Sequence, residues 1–172
     1  MALGPFVTAG RKADGPLCNH AAMNSLIAVQ DTYPDDFAHC YGCGKNNEHG
    51  HRIKTYLVGD HTVTDHTPEP FHTGGKDFTY GGIVASLIDC HSTGSAAIFW
   101  MRANGIEVGS EPAARFVTAR LEVDFVAPTP LGPLHLVGES VEVAERKVIV
   151  TTELTGNGAI TARGRAVLVR VR

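Results

Sequence analysis

The segment from Tyr80 to Asn104 constrains the fold more than any other part of the chain. It lies within the longest proline-free stretch of the sequence, is rich in small and apolar residues, and is followed by Gly105. At helical spacing, one broad apolar face collects six of its side chains, namely Ile83, Leu87, Ile88, Ala96, Phe99 and Trp100. The segment therefore predicts one long helix with a buried face.

Strand-like runs lie on both sides of this helix. Two precede it, around a turn at Gly59-Asp60, and four follow it. The six predicted strands are Arg52 to Val58, His61 to His66, Val117 to Phe125, Leu134 to Val143, Lys147 to Leu154, and Ile160 to Val171. A change of phase in the fourth run predicts a β-bulge near Gly138. A single helix on one face of an antiparallel sheet is an α+β arrangement.

The run from Val117 to Phe125 alternates cleanly between apolar and polar residues. The alternation predicts a half-buried strand with Thr118, Arg120, Glu122 and Asp124 on its polar face. Glu122 and Asp124 are expected to be solvated or paired with Arg120 rather than catalytic.

The first 38 residues have a different character from the rest. They are expected to form an N-terminal arm with one short helix from Ala21 to Gln30, which Tyr33-Pro34 ends. Residues 35 to 50 hold several glycines and two cysteines and predict an ordered loop. The predicted organisation is an arm over residues 1–38 and one domain over residues 39–172.

The composition and charge of the chain limit the classes of partner that we expect it to bind. A net charge of −3 gives no basic footprint for nucleic acid or an anionic membrane. Residues 1–10 lack a signal-peptide pattern, and no run approaches the roughly 18 apolar residues of a membrane helix. The sequence therefore predicts a cytoplasmic protein with free thiols.

The start of the long helix carries the most chemical information. Two glycines, Gly81 and Gly82, open it, although glycine weakens a helix. The first turn of a helix offers unpaired N–H donors and a partial positive charge, which suit a developing oxyanion. Asp89 follows eight residues after Gly81 among apolar neighbours. The alternative is purely structural: glycines that permit close packing, and an aspartate bonded to a neighbouring group.

This Gly-Gly…Asp pattern resembles the PaaI-like branch of the hotdog thioesterases. Two further pieces are similar to the same family, in the same order along residues 40–172. They are the Cys40-Tyr41-Gly42-Cys43-Gly44 lead-in with Asn47 and Gly50, and the strand from Thr118 into Pro128-Thr129-Pro130 and Gly132. The lead-in is also found in the mammalian group related to thioesterase superfamily member four. The resemblance implies a hotdog fold, an antiparallel sheet wrapped around one central helix.

The resemblance also implies roles for individual residues. The Gly81 N–H would bind the thioester carbonyl oxygen, and Asp89 of the facing protomer would act as general base or nucleophile. Thr118 would hydrogen-bond near the reacting water. Tyr80 immediately precedes the Gly81-Gly82 pair, at the position where the family usually has histidine. Gly74 lies at about the position where some members have asparagine. Tyr80, Gly82 and His72 are therefore the candidate substrate-binding residues.

The implied reaction is hydrolysis of an acyl-CoA to a carboxylic acid and CoA, in a homodimer or homotetramer and without a cofactor. One alternative is a hotdog hydratase or dehydratase, which would pair a catalytic histidine with the helix acid. Another is a non-catalytic acyl-CoA binding domain, which would release no thiol.

Other kinds of site are not predicted. Cys40 and Cys43 have metal-ligand spacing, but zinc needs four ligands and no second Cys-x-x-Cys is present, so no metal is expected. A Gly-x-Ser-x-Gly elbow and a phosphate-binding Gly-x-x-x-x-Gly-Lys loop are absent from the sequence. His91 is given no catalytic role.

Overall fold

A computed structural model describes residues 26–171, in which a six-stranded antiparallel sheet packs around one long helix. The helix, α1, covers Gly81–Ala103, so the predicted helix is confirmed to within one residue at each end. All six strands of the sheet contact α1. The predicted α+β class is therefore confirmed.

Eight strands are present in the described residues. Their bounds are β1 Tyr56–Val58, β2 His61–His66, β3 Thr73–Gly75, β4 Phe78–Thr79, β5 Phe116–Phe125, β6 Leu134–Val143, β7 Lys147–Gly156 and β8 Ala159–Arg170. The large sheet has the order β1-β2-β6-β7-β8-β5, and β3 and β4 form a separate small sheet. The β1–β2 turn is Gly59-Asp60 as predicted, with Gly59 at a φ of 59°.

The region before the sheet differs from the predicted short helix. Residues 21–25 lie outside the described part, and residues 26–28 are not helical. A 3₁₀ turn covers Val29–Thr32, and a second covers Asp35–Phe37. The Val29 N–H bonds to the Thr55 carbonyl at 3.1 Å, so this backbone is used for a tertiary contact rather than a helix. Val29 and Ala38 belong to the hydrophobic core, which thus extends across the predicted boundary at residue 38.

Three features of the strands also differ from expectation. β1 begins at Tyr56 and not at Arg52, because Arg52 has a left-handed φ of 49° that a strand cannot contain. The β3–β4 hairpin lies where an irregular loop was expected. In β6 the bulge falls between Ser140 and Glu142, a few residues after Gly138. Gly138 instead lies directly against the helix, at the His91 ring.

The helix is buried on most sides. More than half of its 23 residues are buried, including the polar His91, Ser92 and Ser95. Close approach to β8 depends on Gly164, because a Cβ there would clash with Ile88. By length and a mean hydropathy of 1.2 the helix could span a membrane, contrary to expectation, but 67% of that window is buried within the fold. These are the properties of a core helix.

A bulge in β5 reverses the predicted faces of the residues that precede it. Thr118 pairs with Leu168 and Arg120 with Val167, which leaves Ala119 as an extra residue. Before the bulge, Phe116 and Thr118 face the helix and Val117 is exposed. After it, Leu121 and Val123 pack against the core. The prediction that Thr118 shares a face with Glu122 and Asp124 is wrong for this reason.

Candidate active site

Asp89 lies in the middle of α1, where the helix faces the start of β5. Its carboxylate is half-buried and accepts a hydrogen bond from the Thr118 hydroxyl, with 2.6 Å between Thr118 Oγ1 and Asp89 Oδ1. Within residues 26–171, no lysine, arginine or histidine forms an ion pair with it. The carboxylate borders a cavity of about 250 Å³. It is thus positioned by one neutral donor and left accessible from the cavity.

Burial raises the pKa of Asp89 above its ordinary value of 3.8. The Thr118 hydrogen bond acts in the opposite direction, because it stabilises the charged form, and the Cys40 thiolate raises the pKa further by repulsion. A carboxylate made more basic by burial is better suited to accept a proton from water.

The β5 bulge brings Thr118 to this carboxylate. Thr93, one turn further along α1, donates its hydroxyl to the Asp89 carbonyl at 3.0 Å and lies 3.3 Å from the Thr118 hydroxyl. The structure therefore joins two of the predicted site residues, Asp89 and Thr118, through a direct contact between the helix and an edge strand.

Gly81 lies at the start of α1 beside a different cavity. This cavity measures about 410 Å³ and is bordered by Val84, Phe125 and Val126 among others. The N–H groups of Ile83 and Val84 both bond to the Tyr80 carbonyl, at 2.9 and 3.2 Å. In the described part of the chain, no acceptor receives the Gly81 N–H. The helix therefore presents an unused N–H donor at its positive end.

Tyr80 is the residue that precedes the helix. Its N–H donates to the His72 carbonyl at 2.8 Å, which fixes the loop before β3 against the helix start. The Tyr80 ring is 57% exposed and lies over Gly82, where a Cβ would clash with it. The His72 ring lies edge-on to His51 at 4.8 Å. The three predicted substrate-binding residues thus form one surface at the helix start.

The two predicted catalytic groups of a single chain are well separated. Eight residues of helix correspond to a rise of about 12 Å along the axis. Gly81 and Asp89 also border different cavities. One chain therefore places the N–H donor and the carboxylate too far apart to act on one carbonyl carbon.

Three thiols lie beside Asp89, and the sequence had indicated only two of them. The sulfur atoms of Cys40, Cys43 and Cys90 all lie within 4.8 Å of one another. The thiols of Cys43 and Cys90, together with the backbone N–H groups of Cys43 and Gly42, hold the pKa of Cys40 well below its ordinary value of 9.0. Accordingly, the pKa of Cys43 is raised to about 12, chiefly by its hydrogen bond to Cys40. Cys90 follows Asp89 on the helix, and no local spacing links it to residues 40–43.

His91 lies on the opposite side of α1 from this cavity. Its ring is fully buried, with Nδ1 2.8 Å from the Thr64 hydroxyl and Nε2 3.5 Å from the Thr62 hydroxyl. Burial, assisted by repulsion from His135, lowers its pKa from 6.5 to about 3. The ring is neutral at physiological pH and its nitrogens are used by the core.

Proteins similar to this chain include named thioesterases. No protein-family profile matches the chain. A crystal structure of a thioesterase superfamily protein from Shewanella loihica is 42% identical and has a TM-score of 0.62, over 81% of this chain and all of that one. The PaaI protein of the E. coli phenylacetic acid degradation operon shares the fold at 15% identity and a TM-score of 0.58, over 71% of this chain and 81% of that one.

A curated sequence relative agrees with these structures. The acyl-coenzyme A thioesterase THEM4 of Xenopus laevis is 32% identical over 85 residues, which is 49% of this chain. The matched region spans about a third of that relative's length, 32%. With the Shewanella protein matched over its whole length at 42% identity, the chain belongs to the thioesterase superfamily and has the hotdog fold.

Proposed function

We propose that this protein hydrolyses an acyl-thioester, with acyl-CoA as the substrate, and that it does so in the cytoplasm. The observation that carries the proposal is the Asp89 carboxylate, which borders a cavity and is held by Thr118 through a single oxygen. Its raised pKa favours proton transfer from water. In the alternative route, the same carboxylate attacks the thioester carbon, the C–S bond breaks and the thiolate leaves as the thiol after taking up a proton, and water then hydrolyses the resulting anhydride.

Gly81 would supply the second element of catalysis. As water adds to the thioester carbon and gives its proton to Asp89, the carbonyl oxygen becomes negative. The unused Gly81 N–H, at the positive end of α1, would bind that oxygen. Collapse of the tetrahedral intermediate breaks the C–S bond, and the departing thiolate takes up a proton.

Both groups can meet only if two chains form the site. Because about 12 Å of helix separates them within one chain, the Gly81 N–H would act together with Asp89 of the facing protomer. The pantetheine arm would then enter between two protomers. A homodimer, alone or within a tetramer, is accordingly part of the proposal.

Mixed dimers test this arrangement directly. Gly81→Pro removes the N–H but suits the first helical position, and Tyr80 already has the extended ψ of 132° that a following proline requires. Gly81→Ala is the matched control, because it keeps the N–H and its Cβ would lie 3.4 Å from the Phe125 ring. Gly81→Pro and Asp89→Asn chains with different tags would be co-expressed, and dimers carrying both tags isolated.

Each homodimeric variant is expected to be nearly inactive. A mixed dimer has one site in which both Gly81 and Asp89 are intact, so about half of wild-type kcat should return. Mixed dimers as inactive as their parents would refute the shared site. An active monomer in light scattering would refute it as well.

A thiol-release screen tests the reaction itself. Short, long, branched and aromatic acyl-CoAs would be offered, and CoA detected with a thiol reagent. Hydrolysis predicts release of CoA for at least one of these classes. A hydratase would instead consume the double bond of an enoyl-CoA without releasing thiol, and a binding domain would raise the Tm with acyl-CoA and release none.

A further inference from the structure

We propose that Cys40, Cys43 and Cys90 bind one zinc ion per chain, with a solvent ligand in the fourth coordination position next to the Tyr33 hydroxyl. The cysteines border the same cavity as Asp89, but the metal proposal does not depend on the thioester chemistry proposed above. The expectation that no metal binds was based on the two thiols of one Cys-x-x-Cys. The structure adds a third thiol from α1 and so changes the ligand count.

The sulfur positions match the geometry of a zinc site. A Zn–S distance of about 2.3 Å in a tetrahedron places neighbouring sulfurs about 3.8 Å apart. The Cys40 and Cys90 sulfurs are 3.7 Å apart, and all three lie within 4.8 Å of one another. A metal could therefore be bound with small adjustments of side chains. Thiolate ligands favour zinc over calcium or magnesium.

The backbone of the Cys40 loop is shaped to hold the third thiol. The Gly44 N–H donates to the Cys40 carbonyl at 2.8 Å and closes the turn. A Cβ at Gly42 would clash with the Cys90 sulfur, so only glycine lets that thiol lie directly against the loop. The same loop directs the Gly42 and Cys43 N–H groups at the Cys40 sulfur, which stabilises a thiolate.

Tyr33 provides an independent sign of a missing ligand. Its side chain is 3% exposed and borders the same cavity as the three cysteines. Among the described residues, its hydroxyl is one of the buried polar atoms that have no hydrogen-bond partner. An unpaired buried hydroxyl is costly. A water molecule bound to zinc would provide the partner and complete the tetrahedron.

Zinc binding would anchor the Cys40 loop to the helix beside Asp89. The three cysteines and Asp89 border one cavity, so the bound metal would lie beside the carboxylate. Zinc binds thiolates and not thiols, so binding would release protons and the affinity should fall as the pH falls.

Metal analysis of the full chain tests the proposal. Protein purified with a non-chelating phosphine reductant would be stripped of metal, given zinc chloride and desalted. Elemental analysis should then find about one zinc per chain, and the Tm should rise by several degrees. Cys90→Ser should lower the bound zinc to about one tenth or less. Cys18→Ser is the matched control, and it should leave both measurements unchanged.

Two results would overturn the proposal. One is less than about a tenth of an equivalent of zinc together with an unchanged Tm, in protein whose circular dichroism shows it to be folded. The other is a pair of observations: the protein loses the mass of two hydrogens on mild exposure to air, and the reduced protein takes up no zinc. The cysteines would then form a disulfide and not a metal site. A Tyr33→Phe protein that still binds zinc with more than a tenfold lower affinity would support the solvent ligand, and an unchanged affinity would contradict it.

Discussion

Asp89 and His91 are two residues apart on one helix but have opposite environments. The Asp89 carboxylate is half-buried, receives one side-chain hydrogen bond, and borders a cavity. The His91 ring is fully buried, and hydroxyls of β2 lie within hydrogen-bonding distance of both its nitrogens. Burial raises the pKa of the aspartate and lowers that of the histidine, so it disfavours the charged form of each.

The difference shows which titratable group is available for chemistry. Both nitrogens of the buried His91 ring lie beside threonine hydroxyls, so its polarity serves the core. Asp89 keeps an oxygen that no other side chain occupies in the described residues. The two residues should therefore respond in opposite ways to substitution, one in activity and the other in stability.

The largest expected effect is the loss of turnover in Asp89→Asn. Asparagine can still accept the Thr118 hydrogen bond, but it cannot accept a proton from water. We expect kcat to fall by about 10² to 10⁴. Because burial raises the Asp89 pKa, its contribution to stability is present at low pH and lost as the pH rises through that pKa, so the Tm at neutral pH should not fall. A folded variant with half of wild-type kcat would remove Asp89 from the mechanism.

His91→Ala should show the reverse pattern. It removes one hydrogen-bonding neighbour from each of Thr62 and Thr64 and opens a cavity beneath Gly138, so the free energy of unfolding should fall by about 2 to 4 kcal/mol. The kcat of the folded fraction should stay close to wild type. Denaturant melts and active-site titration on the same sample measure both quantities. A loss of kcat in folded protein would show that His91 supports catalysis after all.

Thr118→Val tests the contact between β5 and Asp89. Removing the hydroxyl takes away a hydrogen bond that lowers the Asp89 pKa, so the acid limb of the kcat profile should move to higher pH. We expect a loss of about 3- to 30-fold in kcat at neutral pH. Thr118→Ser keeps the hydroxyl and should recover most of the activity. Equal pH profiles for the valine and serine variants would show that the bond has no role in catalysis.

The last expected effect is the pH dependence of stability due to His91, which is negligible at neutral pH and grows only in acid. Its pKa is about 3 in the folded protein and near 6.5 when unfolded, so its contribution is complete above about pH 6.5 and is lost as the pH falls towards 3. His66, with a pKa lowered to about 4, acts in the same direction. His91→Asn can still bond to Thr64 but cannot titrate. Denaturant melts between pH 7 and 4 should show that the free energy of unfolding of this variant depends less steeply on pH. The difference in slope should correspond to at most one bound proton.

The sequence predicted the features that depend on local pattern. The helix from Gly81 to Ala103, the two-residue turn at Gly59 and most strands follow from spacing, glycine placement and proline-free runs. The position of Asp89 relative to Gly81 also follows, because helical rise and angle depend only on residue number. The spacing of residue types along the chain was therefore enough to predict the structure where the backbone is regular.

The features that the sequence missed depend on contacts between distant residues. Ala119 is an extra residue only relative to β8, so the alternation within β5 could not reveal that Thr118 turns towards the helix. Cys90 joins Cys40 and Cys43 across nearly fifty residues. Residues 26–30 have helical composition, but a backbone bond to Thr55 fixes them in another conformation.

The bulge in β5 has a consequence for how such proteins diverge. Because Thr118 and Leu121 both face the helix although they are three positions apart, an insertion or deletion in this strand changes which residues border the cavity without any substitution. Length variation in one edge strand is therefore a route to new specificity. Sequence alignments of homologues should therefore match the residues of β5 by the face of the sheet on which they lie. An alignment gap placed one position away would match Thr118 with a residue on the outer surface.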